Sequence, residues 1–127
     1  MLRRLIISNC EKIESNEEHL YVGAWAKSNI PFESENVVGY HWIDNEKLEL
    51  DFSYTTKVYE TLLNNISKSL DELHEIKLGV EGWRIIIGPW LYHFVYILFD
   101  RYQNIKQAIE FDSDVYAQII SARSGEF

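Results

Sequence analysis

The stretch GWRIIIGPWLYHFVYILFDRY, residues 82–102, limits the possible folds more than any other part of the chain. It is the most apolar run in the sequence, yet it carries Arg84, a Gly88-Pro89 break, His93 and a closing Asp100-Arg101 pair. The apolar part, 85–99, is roughly fifteen residues, short of the about 20 that a membrane-crossing helix needs, and Gly88-Pro89 interrupts it. A helix lying on a membrane surface would use Trp83, Trp90 and Tyr92 at the interface. The acidic balance weakens attachment to anionic lipids, so a buried helix is the favoured expectation.

Periodicity extends that helix over about 83–110, with an inner stripe of Trp83, Ile86, Ile87, Trp90, Leu91, Phe94, Val95, Leu98, Tyr102, Ile105 and Ile109. Ile85, Tyr92, Tyr96, Ile97 and Phe99 make its other face apolar too, which predicts burial on nearly all sides. Pro89 lacks an N–H and crowds the carbonyl four residues earlier, so a kink or a junction of two helices is expected there.

An earlier helix is expected over about 52–74. Tyr54, Val58, Tyr59, Leu62, Leu63, Ile66, Leu70 and Leu73 recur at three- and four-residue steps, with Lys57, Glu60, Asn64, Lys68 and Glu72 opposite. Asp51 or Ser53 can cap its start and His74 suits its end. The glycines of IKLGVEG, 76–82, separate the two helices. Upstream, apolar β-prone runs predict strands at about 3–8 and 19–27, with Gly23 allowing a bulge or a close backbone approach. The loop 28–36 contains Pro31, which holds Ile30 extended. Short N-terminal strands followed by two long helices make an α/β fold, with α+β as the alternative. At 127 residues one domain is expected, without disulfide staples.

A formal net charge of −8 repels a polyanion, so nucleic acid is not an expected partner. Cys10 is the single cysteine, which excludes an internal disulfide and any CxxC site and fits a reducing cytoplasm. The run Leu5-Ile6-Ile7 is too short for a secretion signal. No glycine-rich phosphate loop, no nucleophile elbow and no close histidine spacing for a metal is present.

Three constellations could carry chemistry. In GYHWID, 39–44, His41 could take a proton from an acceptor hydroxyl with Asp44 orienting it, beside the face of Trp42. The plainer reading is a capped turn with Trp42 buried, and on chemistry alone it weighs more. Arg84 could grip a phosphate or carboxylate, or simply pair with an acid such as Glu81. Asp100 and Arg101 suit a structural ion pair.

These residues also carry a resemblance. YHWIDNEKLELDFSYTTKVYETLL followed by GWRIIIGPWLYHFVYILFDRY resembles the N-terminal region of transferases encoded in bacterial surface-carbohydrate gene clusters. The Tyr-His-Trp-x-Asp stretch, the Trp-Arg-x-x-x-Gly-Pro-Trp helix and the Asp-Arg-Tyr ending are similar, as is the opening with Gly23 and Trp25. The likeness covers most of residues 5–110. It implies a longer, two-lobed glycosyltransferase-like enzyme making O-antigen, capsule or related glycans. This chain would be its N-terminal lobe portion, lacking most of the donor site and inactive alone.

On that likeness His41 and Asp44 are the catalytic candidates, and Arg84, Trp42 and Trp25 the substrate-binding ones. No metal or cofactor is expected in this chain. The partners implied are a carbohydrate acceptor and, for the whole enzyme, a nucleotide-sugar donor. The implied location is the cytoplasm, with any membrane association peripheral and at the inner face of the cytoplasmic membrane. The rival class is a small non-catalytic domain that binds a partner, or a membrane surface, through an exposed aromatic face.

Overall fold

Asp44 starts the first helix. Its backbone is extended and its side chain accepts from the N–H of Glu46 at 3.0 Å, which satisfies one of the donors a helix start leaves open. The computed structural model describes residues 2–9, 11, 13, 17–26 and 36–118. Strand β1 is Arg3–Ile6, β2 is His19–Tyr21, helix α1 is Asn45–His74, α2 is Gly79–Phe111 and β3 is Val115–Tyr116. A single 3-10 turn, Ala24–Ala26, follows β2. Three parallel strands and two long helices give the α/β character expected from the sequence. Cys10 and the loop around Pro31 lie outside the described residues.

The chain divides into two compact units, one of Met1–His41 with Gln103–Phe127 and the other of Trp42–Tyr102. In the first unit the strand order is β2-β1-β3, all parallel. A further parallel bridge joins Tyr21 to Val37, closed by Tyr21 N–H to the Asn36 carbonyl at 2.8 Å and Val38 N–H to the Tyr21 carbonyl at 3.0 Å. Successive side chains point to opposite faces of a sheet. Leu5 is therefore paired with Leu20 in one apolar cluster, completed by Val22, Val38 and Ala108 of α2. Ile6 is paired with Tyr21 in another, with Ala26.

The strands are shorter than the 3–8 and 19–27 expected. After Tyr21 the chain bends into the 3-10 turn, and the ring of Trp25 lies against Gly23. A Cβ at Gly23 would sit 2.7 Å from Trp25 Nε1, so the close approach expected at this glycine is made by a side chain.

In the second unit the expected starts are corrected. Helix α1 begins at Asn45, capped by Asp44, rather than at 52 under Asp51 or Ser53. Its four buried residues are Thr55, Tyr59, Leu63 and Ser67, an i, i+4 row in which two polar residues replace expected apolar ones. The helix stops at Glu75, in the left-handed region at φ 54°, whose N–H reaches back to the carbonyls of Asp71 and Glu72. Gly79, at φ 72°, then turns the chain into α2.

Helix α2 runs without a break through Pro89, so no junction forms there. Pro89 lies on the exposed side, where water can reach the carbonyl of Ile85 that the ring deprives of a donor. Burial on nearly all sides does not occur either. Trp83, Leu91 and Val95 are buried, while Ile86, Trp90, Phe94, Leu98 and Tyr102 of the expected inner stripe are exposed. Two antiparallel helices shelter only the narrow row where each meets the other, and the remaining apolar residues stay outside.

Candidate functional site

Because its strands are parallel, the sheet of the first unit has all its carboxyl ends on one edge. In open parallel sheets, that edge, near the point where strand order reverses, is where ligands bind. Here β1 is flanked by β2 on one side and β3 on the other, so the reversal falls at β1. Ile7 to Asn9 leave β1 at this edge, Val22 to Ala26 leave β2, and Val38 to His41 follow the Val37 bridge. Two of the residues singled out from sequence lie on these exits. Trp25 is 37% exposed, and His41 is 6% exposed with the ring of Tyr40 5.1 Å away.

The exit from β1 is fixed by a side chain that nothing in the sequence singled out. One carboxylate oxygen of Glu11 accepts from the N–H groups of Ile7 at 2.8 Å and Ser8 at 3.1 Å. Its other oxygen meets Arg4 at 3.1 Å, and Arg4 also pairs with Glu17 at 3.0 Å. Tyr116 of β3 donates to Glu17 at 2.8 Å. The Glu11 side chain is fully buried and that of Arg4 nearly so. Burial works against the Arg4 cation, but the hydrogen bonds to Glu17 and Glu11 outweigh it and its pKa is raised. The Tyr116 hydroxyl is likewise raised, chiefly by its bond to Glu17. From sequence, EKIESNEE reads as no more than a polar, charged connection between the two strands. A buried arginine on β1 demands acids, and that demand was the available signal.

The other candidates belong to the helical unit. Asp44 spends its carboxylate on the α1 cap. Trp42 donates from Nε1 to Asp51 at 2.9 Å and stacks on Phe99 with centroids 6.3 Å apart, while Lys47 also pairs with Asp51. Arg84 forms a two-pronged pair with Glu60 of α1 at 2.7 and 2.9 Å, with Glu81 3.5 Å away. The hydrogen bonds to Glu60 raise the Arg84 pKa, and the same bonds hold the Glu60 carboxyl below its usual range. Asp100 and Arg101 pair with each other at 3.0 Å.

Trp25 and His41 thus share the sheet edge of one unit, whereas Trp42, Asp44 and Arg84 belong to the other and Arg84 lies well along the hairpin from the first two. His41 closes the first unit and Trp42 opens the second.

A further anchor escaped the sequence reading. Asp71 accepts from Trp83 Nε1 at 2.8 Å, from Leu78 N–H at 2.9 Å and from Gly79 N–H at 3.0 Å. The Trp83 bond leads in holding its pKa below the ordinary value, against the opposing effect of burial. One carboxylate thereby ties the end of α1 to the turn and the start of α2.

Among the described residues no group of three or more His, Cys, Asp or Glu side chains is arranged to hold a metal ion. Among them, too, no helix is long and apolar enough to cross a membrane. A family model described as LIC12162 family transferase matches residues 3–126. No curated protein and no solved structure matches the chain.

Proposed function

Since this chain belongs to the LIC12162 family of transferases, we propose that it serves glycosyl transfer in the assembly of bacterial surface polysaccharide. In this reading a sugar passes from a nucleotide-activated donor to a carbohydrate hydroxyl. The parallel-sheet edge receives the acceptor, and further protein supplies most of the donor site. The observation that carries the reading is the position of Trp25 and His41 on neighbouring exits at the carboxyl edge of the sheet. An indole with part of its face open gives a sugar ring an apolar surface to lie on. The imidazole of His41 takes the proton from the acceptor hydroxyl as that oxygen forms its bond to the donor's anomeric carbon. The nucleoside diphosphate leaves with the electrons of the broken bond.

Asp44, Trp42 and Arg84 have supporting parts in this proposal. Asp44 fixes the chain just beyond His41, and Trp42 braces that segment against Asp51. Arg84 would hold an anionic group at the surface of its own unit by giving up one prong of its pair with Glu60. The lack of a glycine-rich phosphate loop in this sequence fits a part that does not itself hold the donor.

Tryptophan emission titrated with oligosaccharides tests the acceptor half directly. Surface-polysaccharide fragments should change the emission, and Trp25→Ala should remove the change. For the chemistry, turnover of the whole enzyme with a nucleotide sugar and a polysaccharide acceptor should fall by about 10²–10⁴ in His41→Ala. Full turnover in a folded His41→Ala protein rejects His41 as the base.

A further inference from the structure

We propose that the apolar face of the helical unit is a self-association surface, on which a second copy of this chain docks to form a four-helix bundle. Tyr54, Val58 and Leu62 of α1 and Phe94, Leu98 and Tyr102 of α2 line an open groove of about 330 Å³. None of the residues lining it is charged. The face continues past the groove over α2, where Ile86, Trp90 and Ile97 are 62%, 62% and 57% exposed and Trp90 stacks on Phe94 at 5.1 Å. Depletion of charge around an aromatic centre marks the core of a protein interface.

Size selects the occupant. Tyr54, Trp90, Phe94 and Tyr102 are between 45% and 62% exposed. With the exposed Leu and Ile side chains around them, they offer roughly 800 Å² on each copy, about one partner's share of a stable interface. A small apolar ligand in the groove would leave Ile86, Trp90 and Ile97 in water. An anionic membrane is opposed by the net charge of −8 and gains no basic residue from the groove. A second hairpin suits the shape. Each pair already has one buried seam, at Tyr59, Leu63, Leu91 and Val95, and presents a second apolar side with a groove between two ridges. Ridges of one hairpin entering the groove of the other give the usual packing of such bundles, and a twofold axis makes the face complementary to itself.

Sedimentation velocity of the chain across the micromolar range is the test. The expected result is a species of twice the chain mass that dissociates on dilution. Leu98→Glu and Trp90→Ser, both at exposed positions and checked for unchanged circular dichroism, should weaken association on the order of 100-fold. Ile85→Glu, at a position 81% exposed and outside the groove, should leave it unchanged. A monomer at all concentrations overturns the proposal, as do undefined aggregates or a dimer indifferent to Leu98→Glu. Binding of a persistent monomer to neutral phosphatidylcholine vesicles would assign the face to lipid instead, and equally overturns it.

Discussion

The sheet unit keeps charge inside, and the helical unit leaves apolar surface outside. In the first, Arg4 and Glu11 are buried together and organise the exit from β1. In the second, the ionic contacts of Arg84 with Glu60 are half open, while Trp90 and Tyr102 face water. The contrast follows from geometry. A parallel sheet has two faces to cover and a polar edge to organise, so its loops must bring in donors and acceptors. A helix pair satisfies its backbone internally and needs only one seam between its members. Buried charge therefore marks where this protein fixes a loop, and exposed apolar surface marks the face proposed above for self-association.

The sharpest way to break the comparison is Arg4→Met. It strands Glu11 in a buried position with only its amide partners, and the melting temperature should fall by on the order of 10 °C. A loss comparable to that of an exposed ion pair would mean that the network is not buried charge in any useful sense.

Leu20→Ala and Leu91→Ala compare the two apolar interiors. Each residue is 2% exposed or less, and each change should cost about 2–5 kcal/mol in chemical denaturation. Two separate transitions, each moved by only one of the changes, would sharpen the division into units. A single transition moved by both would show that the units unfold as one.

Gly88→Ala probes the helix seam. The added Cβ would lie 2.9 Å from the Tyr59 hydroxyl and 3.3 Å from Arg84 Cγ. Overpacking costs about 1–3 kcal/mol and the better helix propensity of alanine returns about 1 kcal/mol. A small net loss is expected, and a gain in stability would show that the seam is loose.

The smallest effect concerns pH. Asp71 has its native pKa lowered by Trp83 and the amides of Gly79 and Leu78, so the ionised form is favoured on folding. Its contribution is fully present above the ordinary aspartate range, about 3.9, and is lost as pH falls through the lowered native value. Asp71→Asn should flatten the acid limb of the stability profile while leaving its neutral plateau only slightly lower.

The helices were legible in the sequence because a stripe repeated at three and four residues has few other uses. The start of α1 was not, since Asp44, Asp51 and Ser53 are all acceptable caps; in the structure Asp44 takes the cap and Asp51 accepts from Trp42 instead. The buried row of α1 was misjudged at Thr55 and Ser67. Thr55 turns its hydroxyl back to the carbonyl of Asp51 at 2.8 Å, which lets a polar residue sit inside without a partner on another helix. On α2 the apolar pattern overstated burial because periodicity reports affinity for a nonpolar neighbour and not whether that neighbour is present. At the candidate site, Trp25 and His41 could be named from sequence. Their shared sheet edge could not, because it depends on a lone bridge between Tyr21 and Val37. Glu11 was hidden for a similar reason, its role being set by the backbone of Ile7 and Ser8.

The pairing of β1 with β3 joins Arg3 to Val115. Closing so long a loop costs a disordered chain considerable entropy, but much less once the intervening segment has already folded back on itself. The helical hairpin does that folding with local contacts, which form quickly. Its assembly should therefore precede registration of the third strand, and β1 should keep one row of backbone groups open until then. During synthesis, that open row is where a chaperone or a stray strand would find this protein.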